Sequence, residues 1–380
     1  MTGESAQTVA ADVVRVLAFY LPQFHPVAEN DEWWGPGFTE WRNVARAKPL
    51  FPGHYQPHHP ADLGYYDLRL PEVRERQAAL ARAYGVNGFC YYHYWFGGRR
   101  ILERPFNEIL QSGSPDFPFA LCWANENWTR IWDGGANSVL LAQDHSEADD
   151  LAHIRSLSEA FADPRYIRVG DRPLFLVYRA SLLPDAARTV DTWRTEADRL
   201  GIGELYLCKV EGFGADRARP PALDGFDASV DWIPDWSTLG RPLRRSLSWR
   251  VARRLGFTAM GYRRNNVFPY SRVVDAMQSR PQPAYRRHPC VTPSWDNSSR
   301  RREQAVIFKD ADPALYADWL AAEVSAVAGR DGDDRLVFVN AWNEWAEGNH
   351  LEPDLEFGHA WLEATRDGVR RGLAAAGVAR

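Results

Sequence analysis

The sequence predicts an α/β fold, a single (β/α)8 barrel with long loops at the carboxyl ends of its strands. Eight short apolar runs mostly alternate with amphipathic helical patterns, which is typical of a parallel sheet with right-handed crossovers. Polar and aromatic residues follow most of these runs, and in a barrel the carboxyl ends of the strands carry the chemistry. An open doubly wound sheet would place a glycine-rich phosphate turn after an early strand, and the sequence has no such turn.

The strands are predicted from runs of apolar and β-branched residues that suit buried parallel strands. In chain order these runs are residues 13–20, 88–92, 119–123, 174–178, 205–210, 228–230, 290–293 and 337–341. Helical periodicity predicts helices over residues 67–84, 146–161, 185–200 and 360–374. We therefore expect a disordered leader at residues 1–12, followed by one catalytic barrel over residues 13–380.

Composition narrows the class of protein. A net charge of −5 argues against a general nucleic-acid binder. Many of the 16 tryptophans stand beside polar residues, as a sugar-binding cleft would require. The four cysteines lie in or beside apolar runs without metal-ligand spacing, which predicts buried reduced thiols. With no secretory signal pattern and no run of 18 apolar residues, the sequence predicts a cytoplasmic protein.

A long excursion follows the first strand and ends in the segment PGHYQPHHP, residues 52–60. It contains too much glycine and proline for a helix, so we predict an ordered loop. His54, His58 and His59 within it match no standard metal-ligand spacing, and we interpret them as turn-packing residues. The sequence therefore predicts neither a metal nor an organic cofactor.

A second interruption, at residues 240–264, holds eight arginines and no acidic residue. One interpretation is a solvated helical excursion on the barrel rim. The other is a basic amphipathic helix that contacts a membrane or a lipid-linked glycan. The residues that would make that contact are Arg244, Arg245, Arg250, Arg253 and Arg254.

The residues after the last predicted strand, NAWNEWAEGNHLEPD at 340–354, are the strongest indication of chemistry. Glu344 and Glu347 stand three residues apart among indole rings and side-chain amides. Apolar walls raise a carboxyl pKa while neighbouring charges can keep a second carboxyl ionised, so an acid and a base can coexist. Indoles and amides also suit the faces and hydroxyls of sugars. We predict a carbohydrate-active enzyme in which these two glutamates are catalytic.

A second pairing of carboxyls stays open at this point. Glu126 and Glu344 each follow an asparagine at a strand end, as in retaining glycosidases whose acid and nucleophile stand on different strands. Any of these glutamates could instead only bind an indole N–H or cap a helix. The residues predicted to line the cleft are Tyr20, Gln23, His25, Trp41, His93, Tyr94, Trp95, Trp123, Asn125, Glu126, Trp128, Trp295, Asn343 and Trp345.

These motifs resemble the WbsX-like family, proteins of bacterial surface-polysaccharide clusters often described as glycosyltransferases, within the wider glycoside hydrolase family 99-like group. The resemblance covers most of the chain. The blocks that carry it are FYLPQFHPVAENDEWWGPGFTEW (19–41), HYQPHHPADLGYYDL (54–68), FCYYHYWF (89–96), CWANENWTRIWDG (122–134), TPSWDN (292–297) and NAWNEWAEGNHLEPD (340–354).

The resemblance implies a (β/α)8 barrel and an endo-acting, retaining chemistry. It implies that Glu344 deprotonates the sugar 2-hydroxyl to give a 1,2-anhydro sugar, and that Glu347 is the general acid and then the base for the acceptor. Ala346 stands where the family 99 hydrolases have histidine, so α-mannose specificity is not implied. We expect a retaining glycoside hydrolase acting on a bacterial polysaccharide. The alternatives are a glycosyltransferase of surface-polysaccharide assembly and an inactive glycan-binding barrel.

Overall fold

The structure, a computed structural model, describes residues 14–129, 139–246, 249, 251, 254–255, 260–301 and 303–378. Its main sheet is a nearly closed barrel of parallel strands, which confirms the predicted fold class. In chain order the strands are β1 (Arg15–Tyr20), β2 (Gly88–Phe96), β3 (Phe119–Trp123), β4 (Arg172–Val177), β5 (Tyr206–Glu211), β6 (Ala228–Asp231), β7 (Arg287–His288), β8 (Cys290–Val291) and β9 (Leu336–Val339).

Strands β7 and β8 together occupy the seventh of eight positions around the barrel. β7 pairs with β6 on one side and β8 pairs with β9 on the other, and only Pro289 separates them. The Pro289 carbonyl accepts a hydrogen bond from the Phe338 amide at 2.8 Å, so the barrel wall continues through the proline. The predicted strand at 290–293 is therefore the second half of a strand that a proline interrupts.

The two faces of each strand have different neighbours, because successive side chains point to opposite sides. In β2, Tyr92 points into the barrel and stacks on Phe19, with ring centroids 5.8 Å apart. Tyr91 points outward and packs against Phe106, with centroids 5.7 Å apart. This alternation decides which aromatic residues at the strand ends can face a central cleft.

In the described part of the chain, seven longer helices accompany the barrel strands. They are α1 (Pro71–Ala83), α2 (Arg104–Ser112), α3 (Glu147–Ser156), α4 (Ala186–Arg199), α5 (Tyr270–Gln278), α6 (Pro313–Ala328) and α7 (Ala360–Ala375). The predictions for α1, α4 and α7 are confirmed, and the helix predicted over 146–161 is divided at Leu157 into α3 and Ser158–Ala162. Asp185 caps α4 by accepting a 3.0 Å hydrogen bond from the Arg188 amide.

Shorter elements lie in the loops. The short helices are Ala28–Trp34, Trp41–Ala45, Gly214–Arg217 and Met260–Arg264, and the 3-10 turns are Ala180–Leu182, Pro221–Asp224, Leu243–Arg245, Asn297–Ser299 and Trp345–Glu347. The short strands are Arg99–Ile101, Trp128–Thr129, Val139–Leu141, Arg168–Val169, Asn266–Pro269, Val306–Lys309, Asn343–Glu344 and Asn349–His350. The expectation of no helix in the excursion after β1 is thus wrong for its first half. Two short helices form there because Gly35 and Gly37 lie between them rather than inside them.

The arginine-rich segment is described only in part. Leu243 and Trp249 pack against a small apolar cluster that includes Phe51 and Tyr262. Arg244 donates a 2.8 Å hydrogen bond to Asn266, whereas Arg245 and Arg254 are exposed. Arg250, Arg253 and the predicted leader lie outside the described residues. Contact of these arginines with a membrane stays a prediction.

All four cysteines are buried and unpaired, as predicted: Cys90, Cys122, Cys208 and Cys290. Burial raises the pKa of each thiol well above its usual value, so these side chains act as small apolar residues. Among the described residues, no helix is long and apolar enough to cross a membrane.

Candidate active site

One buried arginine joins three carboxylates at the carboxyl end of the barrel. Arg300 Nη1 lies 2.7 Å from Glu347 Oε1, and its Nη2 lies 3.4 Å from Glu344 Oε2. Its Nε lies 3.1 Å from Glu40 Oε2. The side chains are between 8% and 14% exposed, so little water screens these charges. The two glutamates predicted to be catalytic therefore share a single guanidinium.

The loop after β9 brings the two glutamates together, as their spacing predicted. A single 3-10 turn, Trp345–Glu347, separates them, and Gly348 ends it in the left-handed region at φ 56°. A Cβ at Gly348 would lie 2.9 Å from the Asp296 Cβ, so a larger residue would need both a strained backbone and a displaced neighbour. The Asp296 amide also donates a 2.6 Å hydrogen bond to the Glu347 carbonyl. Asp296 therefore holds the turn that carries Glu347.

Asp296 also ties the excursion after β1 to this turn. Its Oδ2 accepts hydrogen bonds from His54 Nε2 at 2.6 Å and Gln56 Nε2 at 2.8 Å. His54 Nδ1 accepts from the Leu50 amide at 2.9 Å, which leaves the proton on Nε2. Burial opposes ionisation of Asp296, but these hydrogen bonds outweigh it and lower the pKa of that carboxyl. His54 is thus a packing residue, as predicted, and it supports the site.

Burial is the main influence on the acidity of the two glutamates. It raises the pKa of Glu344 to about 8, which Arg300 lowers only in part and Glu347 raises further. Burial also raises the pKa of Glu347, again opposed by Arg300. Because the like charges are close, the two carboxyls titrate as a pair. A raised pKa favours the protonated form, so burial lets the pair retain a proton at a pH where free carboxyls have lost it, as acid–base catalysis needs.

A fourth carboxylate, Glu352, fixes the aromatic wall behind the loop. Its Oε1 accepts from Trp342 Nε1 at 2.8 Å and Gln77 Nε2 at 2.5 Å. Its Oε2 accepts from Trp345 Nε1 at 2.6 Å and the Tyr66 hydroxyl at 2.8 Å. Burial raises the pKa of Glu352 to about 7, and the four donated hydrogen bonds oppose that shift. The indoles on either side of Glu344 are therefore anchored rather than free to turn.

Several of the predicted cleft residues do lie near the carboxylates. Tyr94 lies close enough to Glu344 and Arg300 for their charges to act on its hydroxyl, which accepts a 3.1 Å hydrogen bond from Gln23. Trp128 packs edge-on against Tyr94, with ring centroids 5.4 Å apart. These side chains form one polar and aromatic side of the site.

Glu126 lies shortly after β3 and has its own cation. Arg179 Nη1 lies 2.5 Å from its Oε1, and Asn125 holds the Arg179 backbone with hydrogen bonds of 2.7 and 2.8 Å. Burial raises the pKa of Glu126, and Arg179 opposes the shift. Glu126 and Glu347 both act on the Tyr178 hydroxyl, which places the three groups at one mouth. Glu126 and Glu344 therefore pair with different arginines, whereas Glu344 and Glu347 share Arg300.

Of three further predicted residues, Asn343 and Trp41 anchor the loop after β9. Asn343 accepts from the Leu21 amide at 2.7 Å and donates to its carbonyl at 3.1 Å, which joins the end of β1 to the loop. Trp41 packs against Trp345, with ring centroids 5.5 Å apart. Trp295 is buried against Trp236, and its indole N–H has no hydrogen-bond partner in the described part of the chain.

The remaining predicted residues face the helix layer. His93 contacts His153 of α3 at 2.9 Å, and Trp95 donates to Asp149 at 3.0 Å. Trp123 packs against Trp193 of α4 and Tyr20 donates to Gln77 of α1. His25 is buried away from the carboxylates, beside Asp67, and burial lowers its pKa to about 4. The structure does not bring these five side chains to the carboxylates.

The site also contains residues that were not predicted, namely Arg300, Glu40, Tyr92 and Tyr178. A buried cluster of carboxylates requires a cation, and that requirement is the only signal that could have indicated Arg300. A cavity of about 620 Å³ lies outside Trp41, between the excursion helices, and its lining includes none of the carboxylates.

Comparison with known proteins agrees with this architecture. The sequence profile of a family described as "Glycosyltransferase WbsX" matches residues 16–365. The chain is 48% identical over 358 residues to the "Uncharacterized protein WxcX" of Xanthomonas campestris pv. campestris (strain B100), and 47% identical to the protein of the same description from a second strain. The match spans 94% of this chain and 50% of those proteins, so the chain covers about half the length of these relatives.

Solved structures with a similar fold include a "Glycoside hydrolase-like protein", with a TM-score of 0.56 and 17% identity over 94% of both chains. The GH99 endo-alpha-mannosidase from Bacteroides thetaiotaomicron gives a TM-score of 0.58 and 14% identity, over 96% of this chain and 98% of that one. At this level of identity the likeness supports the barrel fold.

Proposed function

The chain belongs to the WbsX glycosyltransferase family, and from this membership and the site geometry we propose a carbohydrate-active enzyme that cleaves glycosidic bonds with retention. The observation that carries the proposal is the pair Glu344 and Glu347, held on one turn by one guanidinium. The substrate we propose is a bacterial polysaccharide or oligosaccharide, cleaved at an internal linkage.

Two carboxyls on one turn suit a mechanism in which neither attacks the anomeric carbon. Glu344 takes the proton of the sugar 2-hydroxyl, and that oxygen attacks C1 as Glu347 protonates the leaving oxygen. The product is a 1,2-anhydro sugar. Glu347 then takes a proton from water, whose oxygen opens the three-membered ring at C1, and Glu344 returns its proton to O2. Two displacements at C1 give net retention.

This mechanism needs the proton on Glu347 when the sugar is bound. In the free protein Arg300 lies closer to Glu347 than to Glu344, at 2.7 Å against 3.4 Å, which favours the proton on Glu344. A bound 2-hydroxyl would donate to Glu344 and stabilise its ionised form, while a leaving oxygen would accept from Glu347 and stabilise its protonated form. Substrate binding would therefore move the proton to the residue that must donate it.

The stereochemistry of turnover tests the proposal. The experiment is an NMR time course of product anomers on a panel of activated α- and β-glycosides and bacterial polysaccharides. We expect the first product to carry the anomeric configuration of the substrate. An inverted first product would contradict the anhydro-sugar route, since inversion needs the carboxyls about 6.5–9.5 Å apart with a water between them.

The second candidate function is glycosyl transfer in surface-polysaccharide assembly, which the family description favours. Transfer would use the same two displacements at C1, with a hydroxyl of the acceptor sugar in place of water in the second. The exposed Arg245 and Arg254 could then contact a lipid-linked glycan. Absence of hydrolysis across the panel, together with product formation only when a lipid- or nucleotide-linked donor and an acceptor are supplied, would favour transfer over hydrolysis.

The shared proton also predicts how activity depends on pH. Because the pKa of Glu344 is raised to about 8, the pair keeps one proton below that pH and loses it above. We expect kcat/KM to fall tenfold per pH unit above about 8, since no acid then remains for the leaving group. At low pH the second protonation removes the base, which gives a bell-shaped profile. Circular dichroism across the range would show whether the fold persists, and a flat profile to pH 9.5 would contradict the shared proton.

A further inference from the structure

Behind the catalytic loop, three ligand-type side chains from two distant segments converge in a buried cluster. His58 comes from the excursion after β1, and His350 and Asp354 follow β9. One nitrogen of each imidazole and one oxygen of the carboxylate all lie within 4.8 Å of one another. His58 Nδ1 is 2.9 Å from His350 Nε2, which is 3.7 Å from Asp354 Oδ2. The three side chains are buried, with Asp354 only 1% exposed.

Hydrogen bonds outside the cluster fix the orientation of two of these groups. His350 Nδ1 donates to the Glu352 carbonyl at 2.9 Å, which leaves the lone pair of Nε2 facing the cluster. Metal-bound histidines are commonly oriented in this way. Asp354 Oδ1 accepts from the amides of Glu356 at 2.9 Å and Phe357 at 2.6 Å, so its Oδ2 is directed inward.

A hydrogen bond between the two histidines does not account for the whole cluster. It would satisfy His58 Nδ1 and His350 Nε2, whereas Asp354 Oδ2 has only the Tyr55 hydroxyl against it and makes no hydrogen bond of normal geometry among the described residues. A buried carboxylate without a cation is costly, and the solutions without a metal ion are a hydrogen bond from the Tyr55 hydroxyl or a protonated Asp354.

We propose that His58 Nδ1, His350 Nε2 and Asp354 Oδ2 bind a zinc ion. Two neutral imidazoles and one carboxylate are a typical zinc ligand set, whereas calcium and magnesium prefer oxygen ligands. Two ligand atoms that each lie about 2.0–2.1 Å from a tetrahedral zinc are roughly 3.3 Å from one another. The distance between the two imidazole nitrogens, 2.9 Å, is slightly shorter than this spacing, and the distance from His350 Nε2 to Asp354 Oδ2, 3.7 Å, is slightly longer.

The fourth ligand of the zinc ion would be the Tyr55 hydroxyl or a water molecule. The Tyr55 hydroxyl is buried and lies against Asp354. Its ring stacks on the ring of His58, with centroids 4.1 Å apart, which places it beside the cluster. The ion would join the excursion to the segment after β9, independently of any glycan chemistry. The sequence spacing of the histidines in the excursion did not indicate it, because two of the ligands lie about 300 residues away.

The test is calorimetric titration of zinc chloride into the full chain, prepared without a histidine tag and dialysed against a chelator. We expect one zinc ion per chain and a melting temperature that rises with zinc concentration. The variant Asp354→Asn keeps the shape and the Oδ1 acceptor but loses the charge, and His58→Gln removes a nitrogen ligand. Each should weaken binding by more than the roughly 10–100-fold that loss of a supporting partner costs.

His359→Asn is the matched control, since His359 contacts Asp62 at 2.8 Å as a partly exposed pair. It should bind zinc as the parent does. Cobalt(II) added to the parent should give the visible absorption of a four-coordinate nitrogen–oxygen site, which does not depend on how well the variants fold. No binding by the parent at a one-to-one ratio would overturn the proposal and favour a protonated Asp354. Loss of zinc binding only in His359→Asn would overturn the proposal and place the zinc site at the surface pair of His359 and Asp62.

Discussion

Replacing Arg300 by methionine is expected to lower the free energy of unfolding by about 3–5 kcal/mol, the cost of removing one partner from a buried ion cluster. The guanidinium lies between Glu40, Glu344 and Glu347, which together bring more negative charge than it neutralises. Without it, the three carboxyls must either repel one another in a poorly screened environment or take up protons. Methionine keeps most of the side-chain volume, so the loss reports charge rather than a cavity.

Arg301→Met provides the control for the Arg300 experiment. Arg301 is the next residue and is exposed, so the same substitution there removes an equal charge that solvent screens and that acts on Glu347 less than the charge of Arg300 does. We expect a change within about 0.5 kcal/mol, as is usual for surface positions. Urea unfolding followed by tryptophan fluorescence measures both variants. Equal losses would mean that the stability depends on the net charge of the protein and not on the buried cluster around Arg300.

The pH dependence of the Arg300→Met loss separates its causes further. Without the cation the carboxyls are expected to bind protons more readily, so the deficit should shrink as the pH falls from 8 to 5 and the carboxyls become neutral. A deficit that stays constant over this range would indicate lost packing instead.

The comparison of sequence with structure shows which kinds of inference a sequence supports. The barrel strands were predictable because buried parallel strands are short, apolar and separated by helical patterns. The pairing of Glu344 with Glu347 was predictable because the two are local in sequence. The direction of the side chains in β2 could not be predicted in this way. The sequence contains FCYYHYWF, and the residue types alone do not indicate whether Tyr94 or Trp95 points into the barrel. Strand parity, set by packing against α2 and α3, decided it.

Contacts between distant segments account for what was missed. Arg300 follows the seventh barrel position and Glu40 lies in the excursion, about 260 residues earlier, so their ion pair has no local signature. Glu352 was part of the motif, but its role depends on Gln77 and Tyr66, which come from the other end of the chain. Sequence patterns indicate which residues stand at strand ends. Packing, charge balance and hydrogen bonding then determine which of these residues reach the site.

Glu344→Gln and Glu347→Gln are expected to lower turnover by at least about 10²–10⁴-fold, the contribution of a positioned acid or base. Neither change should destabilise the fold. A glutamine retains an oxygen that can accept from Arg300, and it removes one of two repelling carboxyls. Glu344→Gln should even melt at a higher temperature above pH 8. In the parent the raised pKa of Glu344 means that stability falls as pH rises from about 4.5 through about 8, whereas glutamine does not titrate.

Glu40→Gln distinguishes an acid–base role from a general effect of charge on Arg300. Glu40 contacts the same guanidinium at 3.1 Å but comes from the excursion rather than the catalytic turn. If Glu344 and Glu347 transfer protons, Glu40→Gln should keep most of the turnover while the other two lose it, because Glu40 acts on the two carboxyls through its charge and transfers no proton to or from the sugar. Equal losses in all three variants would show that the charge balance at Arg300 limits the reaction. Activity that survives in both Glu344→Gln and Glu347→Gln would direct attention to Glu126, the remaining carboxyl at the same mouth.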